Sequence, residues 1–110
     1  MSANPHFTQL LNEMAELHER KNHDYAQADN PFSNFEEAAK EAGLSVDEVF
    51  KVMIGIKNAR IRELEGAGKS PENESLQDSY MDRLMYSALQ LAYRRKQTPQ
   101  GRSVGFGHGV

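Results

Sequence analysis

The 110-residue sequence contains no cysteine, which excludes disulfide bonds, thiolate metal ligands and thiol nucleophiles. Basic residues are not in excess, since 13 Lys and Arg stand against 16 Asp and Glu. This balance argues against a surface for duplex nucleic acid. No apolar run approaches the ~18–20 residues that cross a bilayer, and the N-terminus carries no signal-peptide pattern. We therefore expect a cytoplasmic protein that binds neither a membrane nor duplex nucleic acid.

Residues typical of strands are also few. Val, Ile and Thr total ten, whereas the helix formers Ala, Glu and Leu number eleven, eleven and nine. The composition predicts an all-α fold, a small bundle of three long helices and one short helix. Because only 38% of the residues are apolar, the core is modest and we expect oligomerisation to complete it. We predict one helical domain at 1–97 and a disordered, glycine-rich tail at 98–110.

Capping signals divide the chain into helices. Ser33 and Ser45 each precede a glutamate by three residues, which is the pattern of a capping box. Gly43 and Gly66 follow the apolar repeats that these boxes open, and they mark helix ends. The Asn, Asp and Pro content of 22–31 indicates a loop. The predicted helices lie at about 5–21, 33–43, 45–66 and 74–96.

Five charged residues interrupt the apolar faces of the last two helices. On a helical wheel, Lys57 and Arg60 fall inside the apolar sector of their helix. Glu74, Asp78 and Asp82 recur at four-residue spacing and extend the apolar stripe of the last helix. Three carboxylates on one face repel each other unless a cation intervenes, and oxygen ligands suit Mg²⁺ or Mn²⁺. The alternative is structural, with the acids complementing the helix dipole and the cations extending to solvent.

Other polar residues are assigned by the same wheels. Arg83, Gln90 and Arg94 are expected to face away from the apolar side of the last helix. On the first helix, His18 and Lys21 face inward. Glu16 is expected to be solvated, and Glu13 is left undecided.

Two short segments interleave charge, amides and aromatic rings around the predicted loop. They are Lys21–Tyr25 and Asn30–Phe35. One interpretation is turn chemistry with aromatic anchoring. The other is a loop that binds a base and a phosphate, with a ring available for stacking and Asn34 for the polar edge of the base. The spacing leaves both open.

The order of these motifs resembles a phage-associated family, the nucleotide modification associated domain, which is similar to the MazG-type all-α nucleoside triphosphate pyrophosphatases. The resemblance covers about residues 10–95. It rests on the following residues in order: Lys21–Tyr25, Asn34-Phe35, Lys57, Arg60, Glu74-Ser75-x-x-Asp78, Asp82 and Tyr86.

The resemblance implies a homo-oligomeric, Mg²⁺-dependent (d)NTP pyrophosphohydrolase that releases pyrophosphate, in the host cell cytoplasm if the gene is phage-encoded. Glu74, Asp78 and Asp82 would hold the metal and carry catalysis. The substrate-binding residues would be Lys57 and Arg60 at the phosphates and Lys21, Asp24, Tyr25, Asn34 and Phe35 in the pocket. The MazG pattern pairs E-x-x-E with E-x-x-D, whereas here Glu13-x-x-Glu16 precedes a motif spaced by four. Two alternatives therefore stand beside hydrolysis: a non-catalytic sponge that sequesters a nucleotide signal of host defence, and a helical interaction module.

Overall fold

Four helices form the part of the chain that the computed structural model describes, namely residues 3–25 and 30–97, with 22–25 described as backbone only. They are α1 (Pro5–Tyr25), α2 (Ser33–Ala42), α3 (Val46–Gly66) and α4 (Glu74–Gln97). These residues include no strand, so the predicted all-α class is confirmed. Within the same residues, no helix combines the length and apolarity needed to span a membrane. The predicted tail at 98–110 lies outside them.

Local capping explains where α3 begins and where α2 ends. Ser45 Oγ accepts a bond from the Glu48 backbone N–H at 3.0 Å, and Glu48 Oε1 accepts one from the Ser45 N–H at 2.9 Å. This is the predicted capping box. Gly43 ends α2 in the left-handed region at φ 68°, and its N–H donates to the Lys40 carbonyl.

The structure corrects the predicted end of the first helix. α1 continues to Tyr25, so residues 22–25 are helical rather than part of a loop. Asn and Asp disfavour a helix interior by less than about 1 kcal/mol each, which a preceding helix can override. The sequence offers no glycine or proline in this stretch before Pro31. Residues 26–29 lie outside the described part of the chain.

The start of α2 also differs from the prediction. Ser33 lies inside the helix, and the capping position belongs to Phe32, whose side chain makes no capping bond. Asn30 holds the turn that leads into the helix. Its Oδ1 accepts from the Phe32 N–H at 3.2 Å, and its Nδ2 donates to Glu36 Oε1 at 2.7 Å. These bonds fix the entry to α2 without a side-chain cap on its first turn.

The buried core is small and divides into two clusters. Phe50 is fully enclosed where α2 meets α3, and the Phe35 ring packs on it with centroids 4.6 Å apart. The first cluster consists of Ala39, Val46, Val49 and Phe50, and the second of Ile61, Leu64 and Leu76. The second cluster joins α3 to the start of α4, so packing holds α2, α3 and α4 together.

Polar bonds join α3 and α4 along their length. They run from Arg94 Nε to Asp47 Oδ1 at 2.9 Å, from Arg83 Nη1 to Asn58 Oδ1 at 3.0 Å and from the Tyr80 hydroxyl to Glu65 Oε2 at 2.7 Å. Residue numbers fall along α4 as they rise along α3, so the two helices are antiparallel.

The expectation that Arg83, Gln90 and Arg94 face away is wrong, because all three bond to α3. Gln90 Nε2 donates to Asp47 Oδ1 at 3.0 Å, beside the bonds from Arg94. The wheel treats a polar side chain as solvated. Here a polar face meets another polar face, and each donor finds an acceptor on the neighbouring helix.

α1 is the least enclosed of the four helices. None of its described residues is buried, and Phe7 and Leu11 are 56% and 40% exposed. Asn4 Oδ1 caps its first turn, accepting from the His6 N–H at 2.9 Å. α1 lies against α4, and its side chains complete the clefts described next.

Candidate functional site

One cleft receives side chains from all four helices and has a volume of about 190 Å³. Its walls carry a histidine, a lysine, a carboxylate, an amide and two aromatic rings among apolar side chains. The lining residues are His18 and Lys21 of α1, Asn34 and Phe35 of α2, Met53 of α3, and Asp82, Met85, Tyr86 and Leu89 of α4. We call this the four-helix cleft.

Two lysines from different helices share one carboxylate at this cleft. Lys57 Nζ of α3 lies 2.9 Å from Asp82 Oδ2, and Lys21 Nζ of α1 lies 3.4 Å from Asp82 Oδ1. The Lys57 and Asp82 side chains are 28% and 21% exposed, and that of Lys21 is 48% exposed. We call these residues the Lys–Asp–Lys cluster. Its two cations exceed its one anion by a single positive charge.

The cluster stands beside a wall that suits a planar ring. Phe35 is fixed by its contact with Phe50, and Tyr86 packs against the same core cluster. Asn34, one residue before Phe35, is exposed and lines the cleft. An amide donates and accepts, as the polar edge of a nucleobase requires. The structure thus brings the sequence-predicted Lys21, Asn34 and Phe35 to one cleft together with Asp82.

Tyr86 entered the sequence argument only through the family resemblance, yet it lines the cleft. A direct signal was available, because Tyr86 lies four residues after Asp82 and so shares its helix face. The Asp24 and Tyr25 side chains lie outside the described residues, so their predicted places in the pocket stay predictions.

Arg60 is not at the cleft. Its side chain is 47% exposed, and Nη1 donates to Glu63 Oε1 at 3.0 Å, one turn along α3. Arg60 thus behaves as the structural alternative expects: its position is within the apolar sector, but the long side chain extends to solvent.

The three carboxylates of α4 do not converge on one point. Glu74 and Asp82 are eight residues apart, which is about 12 Å along the helix axis. Glu74 and Asp78 are exposed, and Asp82 is paired with two lysines. No group of three or more His, Asp or Glu side chains within the described residues could hold a metal ion. A Mg²⁺ ion bound by this trio in one chain does not fit.

Asp78 instead faces a second cavity between α1 and α4, of about 340 Å³. Glu13 and Glu16 line it from α1 together with Arg20. Leu17, Gln77 and Met81 complete its lining. We call it the acidic cavity. Glu16, expected to be merely solvated, lies on the α1 face that meets this cavity, although it is exposed.

Comparisons with known proteins bring no match: no protein-family model, no curated protein and no solved structure matches this chain.

Proposed function

We propose that this protein binds a nucleotide in the four-helix cleft. The observation that carries the proposal is that aromatic rings, an amide, Lys21 and Asp82 line one cleft, which Lys57 adjoins through its ion pair with Asp82. Rings accept a base by stacking, Asn34 pairs with its edge, and ammonium groups bind phosphate oxygens. The resemblance to the nucleotide modification associated domain supports the same reading. A cytoplasmic location belongs to this proposal.

The cleft encloses the base rather than the whole nucleotide. Its 190 Å³ is less than the ~300 Å³ at which pockets for drug-sized ligands begin. The sugar and phosphate would therefore lie at the mouth. Lys21 stands there with a side chain half exposed to solvent.

Isothermal titration of the full chain with nucleosides and nucleotides tests the proposal. We expect dissociation constants in the micromolar range. Asn34→Ala should weaken binding by about tenfold, because one hydrogen bond to the base is lost. Asn34 is exposed, so this variant should fold. Asn12→Ala, an exposed amide on α1, is the matched control and should bind as the wild type does.

Two results would go against nucleotide binding. If no nucleoside or nucleotide binds at 1 mM, the cleft does not serve this function. If binding is seen but Asn34→Ala and Asn12→Ala behave alike, the ligand lies elsewhere. In the first case the remaining reading is a helical interaction module, in which cleft variants change only stability.

A second candidate, hydrolysis of a nucleoside triphosphate, is favoured by the acidic cavity. There Glu13 and Glu16 share a cavity with Asp78, which approximates the two-helix acidic pattern of the MazG-type enzymes. The Mg²⁺ or Mn²⁺ requirement belongs to this candidate, although Glu13, Glu16 and Asp78 of one chain do not by themselves form a group that could hold the ion. Without hydrolysis the protein is the nucleotide sponge of the sequence argument, and we favour this reading because Asp82 is held by two lysines.

Product analysis separates the two. The wild type is incubated with a panel of NTPs and dNTPs plus Mg²⁺ or Mn²⁺, and pyrophosphate and monophosphate are measured. Intact recovery of bound nucleotide supports the sponge. Pyrophosphate release that Glu16→Gln abolishes, while the exposed Glu19→Gln does not, establishes hydrolysis at the acidic cavity.

We also propose that the protein is a homo-oligomer in which a second copy covers α1. Phe7 and Leu11 are large apolar side chains left exposed on a helix that buries none of its described residues. Exposed apolar surface of this kind marks an interface. Sedimentation equilibrium should show a dimer or higher species that Leu11→Lys dissociates. Glu37→Lys, at an exposed polar position on α2, should leave the assembly intact.

A further inference from the structure

The charge of the Lys–Asp–Lys cluster limits how much negative charge its ligand carries. Lys21 and Lys57 supply two positive charges, and Asp82 takes back one. Lys21 and Asp82 line the cleft, and Lys57 adjoins it through its ion pair with Asp82. The Lys–Asp–Lys cluster therefore has a formal net charge of +1.

Two arginines near the cluster in sequence do not add to its positive charge. Arg60 is paired with Glu63, and Arg20 lines the acidic cavity on the other side of α1. The stretch 22–29, which follows Lys21, contains two aspartates and neither lysine nor arginine. A nucleoside triphosphate would therefore carry more negative charge than the cluster neutralises.

Donor geometry agrees with the charge count. Each ammonium group has three N–H donors, and Asp82 occupies one on each lysine. The two ammonium groups come from α1 and α3, and they contact different oxygens of the Asp82 carboxylate. A single tetrahedral phosphate can bridge them, whereas a chain of phosphates would extend past Lys21 into solvent.

We propose that the ligand of the four-helix cleft is a nucleotide with a single phosphate group, as a monoester or as a cyclic diester, rather than a nucleoside triphosphate. This inference rests on the proposed nucleotide binding and names the ligand class. A diester carries one negative charge and a phosphomonoester about 1.5 to 2 at pH 7. The diester therefore matches the cluster most closely.

The first experiment is isothermal titration of the wild type in EDTA at pH 8. It compares ligands that share a base and differ in their phosphate groups. The arms are the nucleoside, the 5′-monophosphate, the 3′,5′-cyclic monophosphate and the 5′-triphosphate, for each of the four common bases. We expect one base to show tighter binding of a single-phosphate form than of both its nucleoside and its triphosphate. A cyclic form that binds better than the monoester assigns the diester as the ligand, and the reverse assigns the monoester.

Two variants then test the charge count itself. Lys21→Gln should weaken binding of the monophosphate by about tenfold and leave binding of the nucleoside unchanged. Lys51→Gln, on the exposed side of α3, should change neither affinity. Asp82→Asn raises the net charge of the cluster from one to two. This substitution should strengthen binding of the triphosphate relative to that of the monophosphate by about threefold to tenfold. Circular dichroism confirms that each variant is folded.

The outcomes distinguish this inference from the function on which it rests. A wild-type protein that binds the triphosphate tenfold more tightly than the monophosphate overturns the single-phosphate inference and leaves nucleotide binding standing. So does a nucleoside that binds as tightly as its monophosphate, or a ligand preference that Asp82→Asn does not shift. If no arm binds, the proposed function fails as well.

Discussion

Asp47 is the residue on which the bonds between α3 and α4 converge. Its carboxylate accepts from Arg94 Nε at 2.9 Å, Arg94 Nη2 at 3.2 Å and Gln90 Nε2 at 3.0 Å, and Lys51 Nζ lies 3.4 Å away. The hydrogen bonds from Arg94 lower the pKa of this carboxyl from 3.8 to about 2, with smaller contributions from Gln90 and Lys51. The charged form is thus stabilised by folding.

The sign of the pH dependence follows from the direction of this shift. Because the pKa of Asp47 is lower in the folded chain, its contribution is fully present above about pH 4 and disappears as the pH falls towards 2. Asp47→Asn should lower the melting temperature at pH 7, and the gap from the wild type should narrow between pH 4 and pH 2. Melting curves followed by circular dichroism at pH 7, 4, 3 and 2 measure this.

The matched control for Asp47→Asn is Glu37→Gln, which neutralises an exposed carboxylate on α2. It should leave the melting temperature nearly unchanged at every pH. A constant gap between Asp47→Asn and the wild type from pH 7 to pH 2 would show that packing rather than charge determines the loss.

At the level of elements, two glycines have opposite roles. Gly43 ends α2 with φ 68°, a conformation that costs an L-residue about 1–2 kcal/mol. Gly55 lies within α3, and a Cβ added there meets no atom within 4 Å. Gly43→Ala should therefore destabilise the protein by about 1 kcal/mol, and Gly55→Ala should stabilise it by about 0.5–1 kcal/mol. Urea denaturation at pH 7 measures both.

The two variants control each other, since each exchanges one glycine for alanine. A destabilising Gly55→Ala would contradict the expectation that a side chain is tolerated inside α3. A stabilising Gly43→Ala would mean that the end of α2 relaxes without loss of its capping bonds.

Element bounds were predictable from the sequence wherever one local interaction determines them. The Ser45 capping box and the Gly43 terminus are of this kind, and both lie where the sequence places them. The end of α1 at Tyr25 and the N-cap position of α2 at Phe32 were missed. In those cases two signals of similar strength compete, and differences of less than about 1 kcal/mol decide between them.

The site was predictable only where one helix face determines it. Lys57 and Asp82 were assigned to inward faces, and they meet. Arg83 and Arg94 were misplaced because a wheel shows directions on one helix and does not show where the neighbouring helix lies. Which acids share a cavity depends on how α1 lies against α4, and that is a property of the whole molecule.

At the level of the whole molecule, α1 differs from the other three helices in how it is held. Its described residues include no buried one, whereas α3 buries five, Phe50 completely. In proteins most of the stability of a helix comes from packing of its apolar face against the rest of the chain. Lys21 does bind Asp82, but an exposed ion pair of this type contributes at most about 1 kcal/mol. α1 should therefore open more readily than the rest of the molecule.

Hydrogen exchange measured at two protein concentrations tests this together with the proposed assembly. At a concentration low enough for monomers, amides of α1 should exchange at least tenfold faster than those around Val49 and Phe50 in α3. Raising the concentration should slow exchange in α1, around Phe7 and Leu11, without changing α3, because a second copy then covers the exposed face. Equal protection of α1 and α3 in the monomer would show that contacts within one chain suffice to hold α1. Fast exchange in α1 at both concentrations would show that α1 is not the interface.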